Sequence, residues 1–229
     1  MANKSKTSKV KTAQKQGQVK SKMEISRAFQ ATPVMRMTRG PTDIVRLQNQ
    51  EATALSIKGS STTPYTGRTF IRLTAGGTGA NLYTWLPTVA RQYSMYRFRS
   101  VKFRFIPSVG TTQSGIVAMG FFPDCEEASV FFNTSGTGTL GQLSQCRKYS
   151  QGPVYSDLEI SLTPADFALD WYYIDPSPST VSETRLTTAG ALAMYVVSNA
   201  SLLDSEVGTL YIEYDVELKF PVTTNPDLQ

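Results

Sequence analysis

Leu86 to Asp124 reads LPTVARQYSMYRFRSVKFRFIPSVGTTQSGIVAMGFFPD, and the reading of this stretch decides the fold. Leu86, Val89, Ala90 and Tyr93 recur at helical spacing, and Pro87 falls in a first turn, where its missing N–H goes unused. The spacing predicts a helix of about two to three turns, ending near Met95. Val101, Phe103 and Phe105 then alternate with Lys102 and Arg104, the period-2 pattern of a strand with one buried and one basic face. Turn residues fill Pro107 to Gly115. Ile116 to Phe122 is apolar on both faces, as in a central strand covered from two sides.

Outward from this stretch the pattern stays that of strands. Short alternating runs at Asp43 to Leu47 and Thr53 to Ile57 predict an arm strand and a first body strand, since Pro33 and Pro41 break any helix before them. Arg68 to Leu73 is the next strand, ended by Gly76, Gly77 and Gly79. That GGTG string lacks the Lys-Ser/Thr ending of a phosphate-binding loop and reads as a turn. Glu126 to Phe132 predicts one helical turn, and Gly136, Gly138 and Gly141 a loop. Strands are expected at Gln145 to Tyr149, Leu158 to Leu162, Trp171 to Ile174 and Ala191 to Val197. From Leu210 to Phe220 apolar and polar residues alternate without a fault. About eight body strands at uneven spacing, with little helix and no repeat, fit Greek-key crossings between two sheets rather than an up-and-down barrel. The expected fold is therefore all-β, an eight-stranded jelly roll. The expected division is residues 1–42 as a disordered basic arm, 43–222 as the jelly roll and 223–229 as a tail.

Composition narrows the function. The chain has 229 residues, 40% hydrophobic and 18% charged, which suits one globular domain. No apolar run is long enough to span a bilayer, so no membrane partner is expected. The basic start MANKSKTSKVKT is followed by no apolar stretch of the kind a secretory signal needs, which points to folding in a reducing compartment. Without that signal, the glycosylation sequon at Asn133-Thr134-Ser135 carries no meaning. Cys125 and Cys146 have neither metal-ligand spacing nor the density of a disulfide scaffold, and both read as reduced thiols.

The sequence contains no histidine, which removes the usual general base and the partner that activates a nucleophile. Carboxylate pairs stay open as a catalytic arrangement, Asp157 with Glu159 or Asp166 with Asp170, but nothing in the sequence favours them over solvated loop acids. The chain is not expected to be an enzyme.

Charge is segregated. Residues 1–40 carry ten Lys and Arg against Glu24, a net of +9; the whole chain is +5, so residues 41–229 sum to −4. Lys4, Lys6, Lys9, Lys11, Lys15, Lys20 and Lys22 lie in a segment with no acid and no aromatic residue, and Arg27 follows. Such a segment cannot bury enough apolar surface to fold alone. It suits a polyanion, because each phosphate neutralised releases condensed counterions whatever the base sequence. With no ring to stack on bases, its binding should be largely independent of sequence. A solubilising or localisation tail is the plainer reading of the same lysines, and charge alone favours nucleic acid over it only modestly.

Four segments carry a resemblance: Trp85 to Asp124; RKYSQGPV at Arg147 to Val154; TAGALAMYVV at Thr188 to Val197; and GTLYIEYDVELKFP at Gly208 to Pro221. Together they resemble the shell domain of coat proteins of small icosahedral plant RNA viruses, of the tombusvirus and sobemovirus type, over roughly residues 43–222. The resemblance implies a capsid protein that assembles with copies of itself into a T=3 shell around single-stranded RNA, its basic arm inside. It would reside in the virion, and in the host cytoplasm before assembly. The chain stops soon after Phe220, which is similar to shell-only coat proteins without a protruding domain. A cellular nucleic-acid-binding jelly roll is the alternative. The resemblance also implies calcium between subunits. Sobemovirus coat proteins have D-x-x-D and tombusviruses D-x-D at the place of Asp124, Glu126 and Glu127. A C-terminal asparagine from a neighbour would correspond to Asn225, or to Asp227 as a further oxygen ligand.

Overall fold

The computed structural model describes residues 36–39, 44–60, 65–73, 82–127, 139–174 and 184–222. The chain divides into two units, residues 1–32 and 33–229, and all described residues belong to the second.

The longest runs of alternation become the longest strands. β10 (Glu206–Pro221) buries Leu210, Ile212, Tyr214, Val216 and Leu218, the residues that the alternation places on one face. It lies between β2 (Val45–Lys58) and β4 (Tyr93–Pro107), antiparallel to both. β1 (Arg36–Arg39) extends this sheet beyond β2, β7 (Leu158–Leu162) flanks β4, and the two-residue β8 (Tyr172–Tyr173) pairs with the start of β4. The second sheet has the order β3 (Tyr65–Arg72), β9 (Thr188–Ser198), β5 (Gly115–Phe122), β6 (Lys148–Pro153).

Strands from β2 to β5 alternate between the two sheets, as do β6, β7, β9 and β10, while β5 and β6 are neighbours in one sheet. This is the jelly-roll connectivity expected from the sequence. The core lies between the sheets. Val101, Phe103 and Phe105 of β4 face Val117, Met119 and Phe121 of β5 and Leu192, Met194 and Val196 of β9 in one continuous cluster. Each fully buried side chain of this kind contributes about 1.5–3 kcal/mol relative to exposure.

β5 is covered from both sides, as its sequence implies. Ala118 and Phe122 point to the opposite face and pack with Leu143, Ala191 and Ala193. Leu143 comes from a short helix, α2 (Leu140–Leu143), opened by a capping box in which Thr139 and Gln142 each bond the other's backbone N–H. A Cβ on Gly120 would lie 2.5 Å from Leu143 Cδ1 and 2.6 Å from Cys146 Sγ, so only glycine admits this covering layer.

Several boundaries differ from expectation. α1 (Leu86–Ala90) ends at Ala90 rather than near Met95. β4 begins at Tyr93, because from there to Arg97 the backbone pairs with β10, and sheet pairing overrides a weak local helical spacing. The runs at 43–47 and 53–57 merge into the single strand β2, since β10 pairs along its whole length through two irregularities, between Glu206 and Gly208 and between Thr209 and Tyr211. β6 starts at Lys148 rather than Gln145, because Ser144 and Gln145 close the end of α2.

Candidate functional site

Two regions hold the charged residues that the sequence singles out: the end of β5, and the solvent face of the six-stranded sheet. At the first, Pro123 terminates the strand and the backbone turns, so that Asp124 Oδ1 accepts the N–H of Glu126 at 2.9 Å. A second short helix, α3 (Thr184–Thr187), delivers Arg185 to the same place. Its guanidinium donates from Nε to Asp124 Oδ1 at 3.3 Å and from Nη2 to Asp124 Oδ2 at 2.8 Å, and Nη2 lies 2.9 Å from Glu126 Oε2. Hydrogen bonding from Arg185 holds the Asp124 carboxyl below its ordinary value. Glu127 is exposed.

The three acids expected to ligate a cation therefore lie together in sequence, but a guanidinium engages two of them. Among the described residues no group of three or more His, Cys, Asp or Glu converges enough to hold a metal ion. Asn225 and Asp227 lie outside the described residues, as do Lys4, Lys6, Lys9, Lys11, Lys15, Lys20, Lys22 and Arg27.

On the solvent face of the larger sheet, the basic side of β4 meets acids from both neighbouring strands. Lys102 lies 3.3 Å from Glu159 and Arg104 2.6 Å from Asp157, both on or just before β7. On the β10 side, Arg97 is 2.5 Å from Glu217 Oε2 and Arg99 is 3.8 Å from its Oε1. Arg46 of β2 grips Asp215 through two nitrogens, and Gln48 adds a bond of 2.9 Å. Burial alone would raise the Asp215 carboxyl; Arg46 and Gln48 outweigh it, and the net shift is downward. The register sets Arg97 opposite Glu217 and Gln48 opposite Asp215, while Lys102 with Glu159, Arg104 with Asp157 and Arg46 with Asp215 meet diagonally, so alternation across β2, β10, β4 and β7 builds a lattice of opposed charges.

Of the carboxylate pairs weighed as catalytic groups, the first belongs to the same lattice and the second does not. Asp157 and Glu159 each hold a different base. Asp166 is 5% exposed, accepts from Thr163 N and Oγ1 at 2.9 Å each, and binds Arg147 at 3.1 Å, while Asp170 is exposed. A carboxylate committed to a cation and to a capping role is not available as a general acid.

Sequence reading missed three features. Arg185 sits in an unpatterned stretch before β9, and only the fold brings it to Asp124. Glu51, in the middle of β2, is 7% exposed and caps α1 from outside the helix. Trp171, Lys219 and Phe220 meet at one end of the sheet with Arg97.

The described residues form a two-sheet jelly-roll sandwich whose larger sheet carries paired charges on its solvent face. Comparisons with known proteins supply its class. The family described as viral coat protein (S domain) matches residues 23–224, and the chain belongs to that family, whose members are structural capsid proteins and not enzymes. It is similar to the capsid proteins of tomato bushy stunt virus (strain BS-3), 27% identical over 144 residues, and artichoke mottled crinkle virus, 29% identical over 149 residues. Each alignment covers 63% of this chain and 34% of the relative, so the chain spans about a third of the length of these relatives. Among solved structures, tobacco necrosis virus matches with a TM-score of 0.69 at 20% identity, covering 88% of this chain and 92% of that one. The melon necrotic spot virus structure matches with a TM-score of 0.64 at 23% identity, covering 86% and 54%. These likenesses establish the fold.

Proposed function

We propose that this coat-protein chain assembles with copies of itself into a closed icosahedral T=3 shell and packages single-stranded RNA through Lys4, Lys6, Lys9, Lys11, Lys15, Lys20, Lys22 and Arg27. The site of action is the virion, reached from the host cytoplasm. Family membership across 23–224 is the observation that carries the assembly reading. Charge segregation supports the RNA reading: the described bases of β4 are matched by acids, whereas the N-terminal lysines have no acid among them. No described helix is long and apolar enough to cross a membrane.

Electron microscopy of purified protein, with the nucleic-acid absorbance of the particle peak, tests both parts. Uniform closed particles containing RNA are expected. Replacing the seven lysines by glutamine should empty the particles and flatten the salt dependence of RNA release. Particles that keep their RNA after this replacement would overturn the packaging role, and failure to form particles at all would overturn the assembly role.

Calcium between subunits belongs to the same proposal. Asp124, Glu126 and Glu127 would supply hard oxygen ligands, with Asn225 or Asp227 from a neighbouring copy, and Arg185 would have to leave the first two acids. Bound there, the ion would neutralise carboxylates that otherwise repel across the contact.

A further inference from the structure

We infer that the exposed end of β10 is one half of a contact between two copies of this chain, in which Phe220, Tyr173 and Lys219 of one copy seat against Leu186 and Glu127 of the next. The inference rests on the assembly reading above and gives it one pair of surfaces.

Apolar surface gathers at this end. Of the nine large hydrophobic side chains that are exposed among the described residues, Leu169, Tyr173, Phe220 and Val222 lie here. The register brings them together: Lys219 is opposite Met95 and Met95 opposite Tyr173, one row across β10, β4 and β8, and just beyond it Val222 N–H donates to Gln92 O at 2.7 Å. Leu169 lines the neighbouring cleft with Arg97. Phe220 has φ of 58°, a left-handed conformation that bulky residues rarely adopt, yet its ring is 52% exposed and gains no place in the core. Strain kept without a gain in packing marks a function outside the subunit. Grouped apolar side chains on a surface mark association, and Trp, Tyr, Phe and Arg are the types that protein interfaces favour.

Charge selects the occupant. Lys219 Nζ lies over the rings of Phe220, at 4.4 Å, and Trp171, at 5.4 Å, and has no carboxylate partner among the described residues. The patch therefore fits an apolar surface that carries one unpaired acid. The turn after β5 is such a surface. Arg185 engages Asp124 and Glu126 and leaves Glu127 unpaired among the described residues, and Leu186 beside it is 40% exposed. Glu127 has two oxygens, enough to meet Lys219 on one and a cation on the other.

The calcium reading agrees. It brings Asn225, five residues past Phe220 and so at most about 18 Å of chain away, to the Asp124 turn of a neighbouring copy. That selects Glu127 over Asp204, which sits beside exposed Leu203 at the far end of β10. Two unlike patches make a heterologous contact, which repeats around a ring and so suits a closed shell.

The test is a cross-link between copies of the full chain. Val222→Cys chain and tagged Leu186→Cys chain, mixed, assembled and then oxidised, should give a disulfide-linked heterodimer, and Leu203→Cys in place of Leu186→Cys should give none. Charge reversal reads the same contact without new thiols. Lys219→Glu sets two acids together and should raise the protein concentration at which particles form at least about tenfold, and adding Glu127→Lys should restore it. Both are measured in chelator, so that loss of a calcium ligand does not enter, and urea unfolding of unassembled chain checks that each variant is folded. Particles that form without the heterodimer, or with Val222→Cys linked to Leu203→Cys instead, overturn this contact and leave the assembly reading standing. So does folded Lys219→Glu chain that assembles like wild type. Wild type that forms no particles overturns the assembly reading itself.

Discussion

Glu51 Oε2 accepts both the backbone N–H of Thr84, at 2.7 Å, and its hydroxyl, at 2.6 Å, across a gap of 33 residues in sequence. The same oxygen takes Trp85 N–H at 2.6 Å; Oε1 takes Leu86 N–H at 3.2 Å and the hydroxyl of Tyr214. Trp85 at the N-cap of α1 offers no capping side chain, so a strand carboxylate satisfies the helix's orphan donors instead. Burial alone would raise the Glu51 carboxyl; bonds from Thr84, Tyr214 and Trp85 outweigh it, and the net shift is downward.

Glu51→Gln replaces two acceptor oxygens by one and removes the charge. The expected cost is about 1.5–3 kcal/mol of subunit stability, read from urea unfolding of unassembled chain. Because the folded pKa is depressed, this contribution is complete above the ordinary carboxylate value near 4.5 and fades as pH falls through the folded value. Wild type should therefore lose stability in that acid range, and the variant should show a shallower loss there. Equal stability of the two at pH 7 would refute the capping role.

Gly190 has φ of 144°, and a Cβ there would lie 2.5 Å from Phe121 Cε2 and 2.6 Å from the carbonyl oxygen of Phe122. Gly190→Ala must push β9 away from β5 or move a core ring. A cost of roughly 1–3 kcal/mol is expected. Thermal unfolding of the variant measures it, and an unshifted midpoint would show that the two strands separate more easily than their packing implies.

Arg185→Gln should leave Asp124 and Glu126 facing each other without a counter-ion. If calcium competes with the guanidinium, the variant particles should bind the ion about tenfold more tightly, a difference of about 1.4 kcal/mol. They should also swell more readily in chelator at mildly alkaline pH. Calorimetric titration and sedimentation provide the readings. Identical calcium binding with and without Arg185 would place the metal elsewhere or remove it from the protein.

Cys125 is 1% exposed and Cys146 half-buried, with its thiol donating to Lys148 O at 2.8 Å; neither forms a disulfide. Burial pushes both thiols up, away from reactive thiolate. The Cys125→Ser and Cys146→Ser pair should assemble normally in reducing and non-reducing buffer, and native protein should resist alkylation. Particle loss in reductant alone would reveal a disulfide formed on assembly.

The layered architecture was readable in the sequence because alternation is a local consequence of burying one face. Val101, Phe103 and Phe105, and the run from Leu210 to Leu218, mark inward positions without reference to any partner. β7 falls at the residues expected of it. Where pairing overrides local pattern, the reading slips: Tyr93 fits a helical stripe by spacing but serves as the first residue of β4. The lattice on the sheet face was half visible. Lys102 and Arg104 read as a basic face because the acids that neutralise them, Glu159 and Asp157, lie more than fifty residues away. Arg185 and Glu51 act across 61 and 33 residues of sequence. No local period encodes a partner at such separation.

The placement of β10 sets an order of events during synthesis. The last described strand to leave the ribosome is the one that bridges β2 and β4, so until it emerges the larger sheet is two separate halves with exposed hydrogen-bonding edges. Closure then joins segments more than a hundred residues apart, a slow step for any chain dominated by distant pairings. A ribosome that stalls before Glu206 therefore releases a product unable to complete the tile. Under the proposed assembly, only subunits translated through this central strand could join a shell.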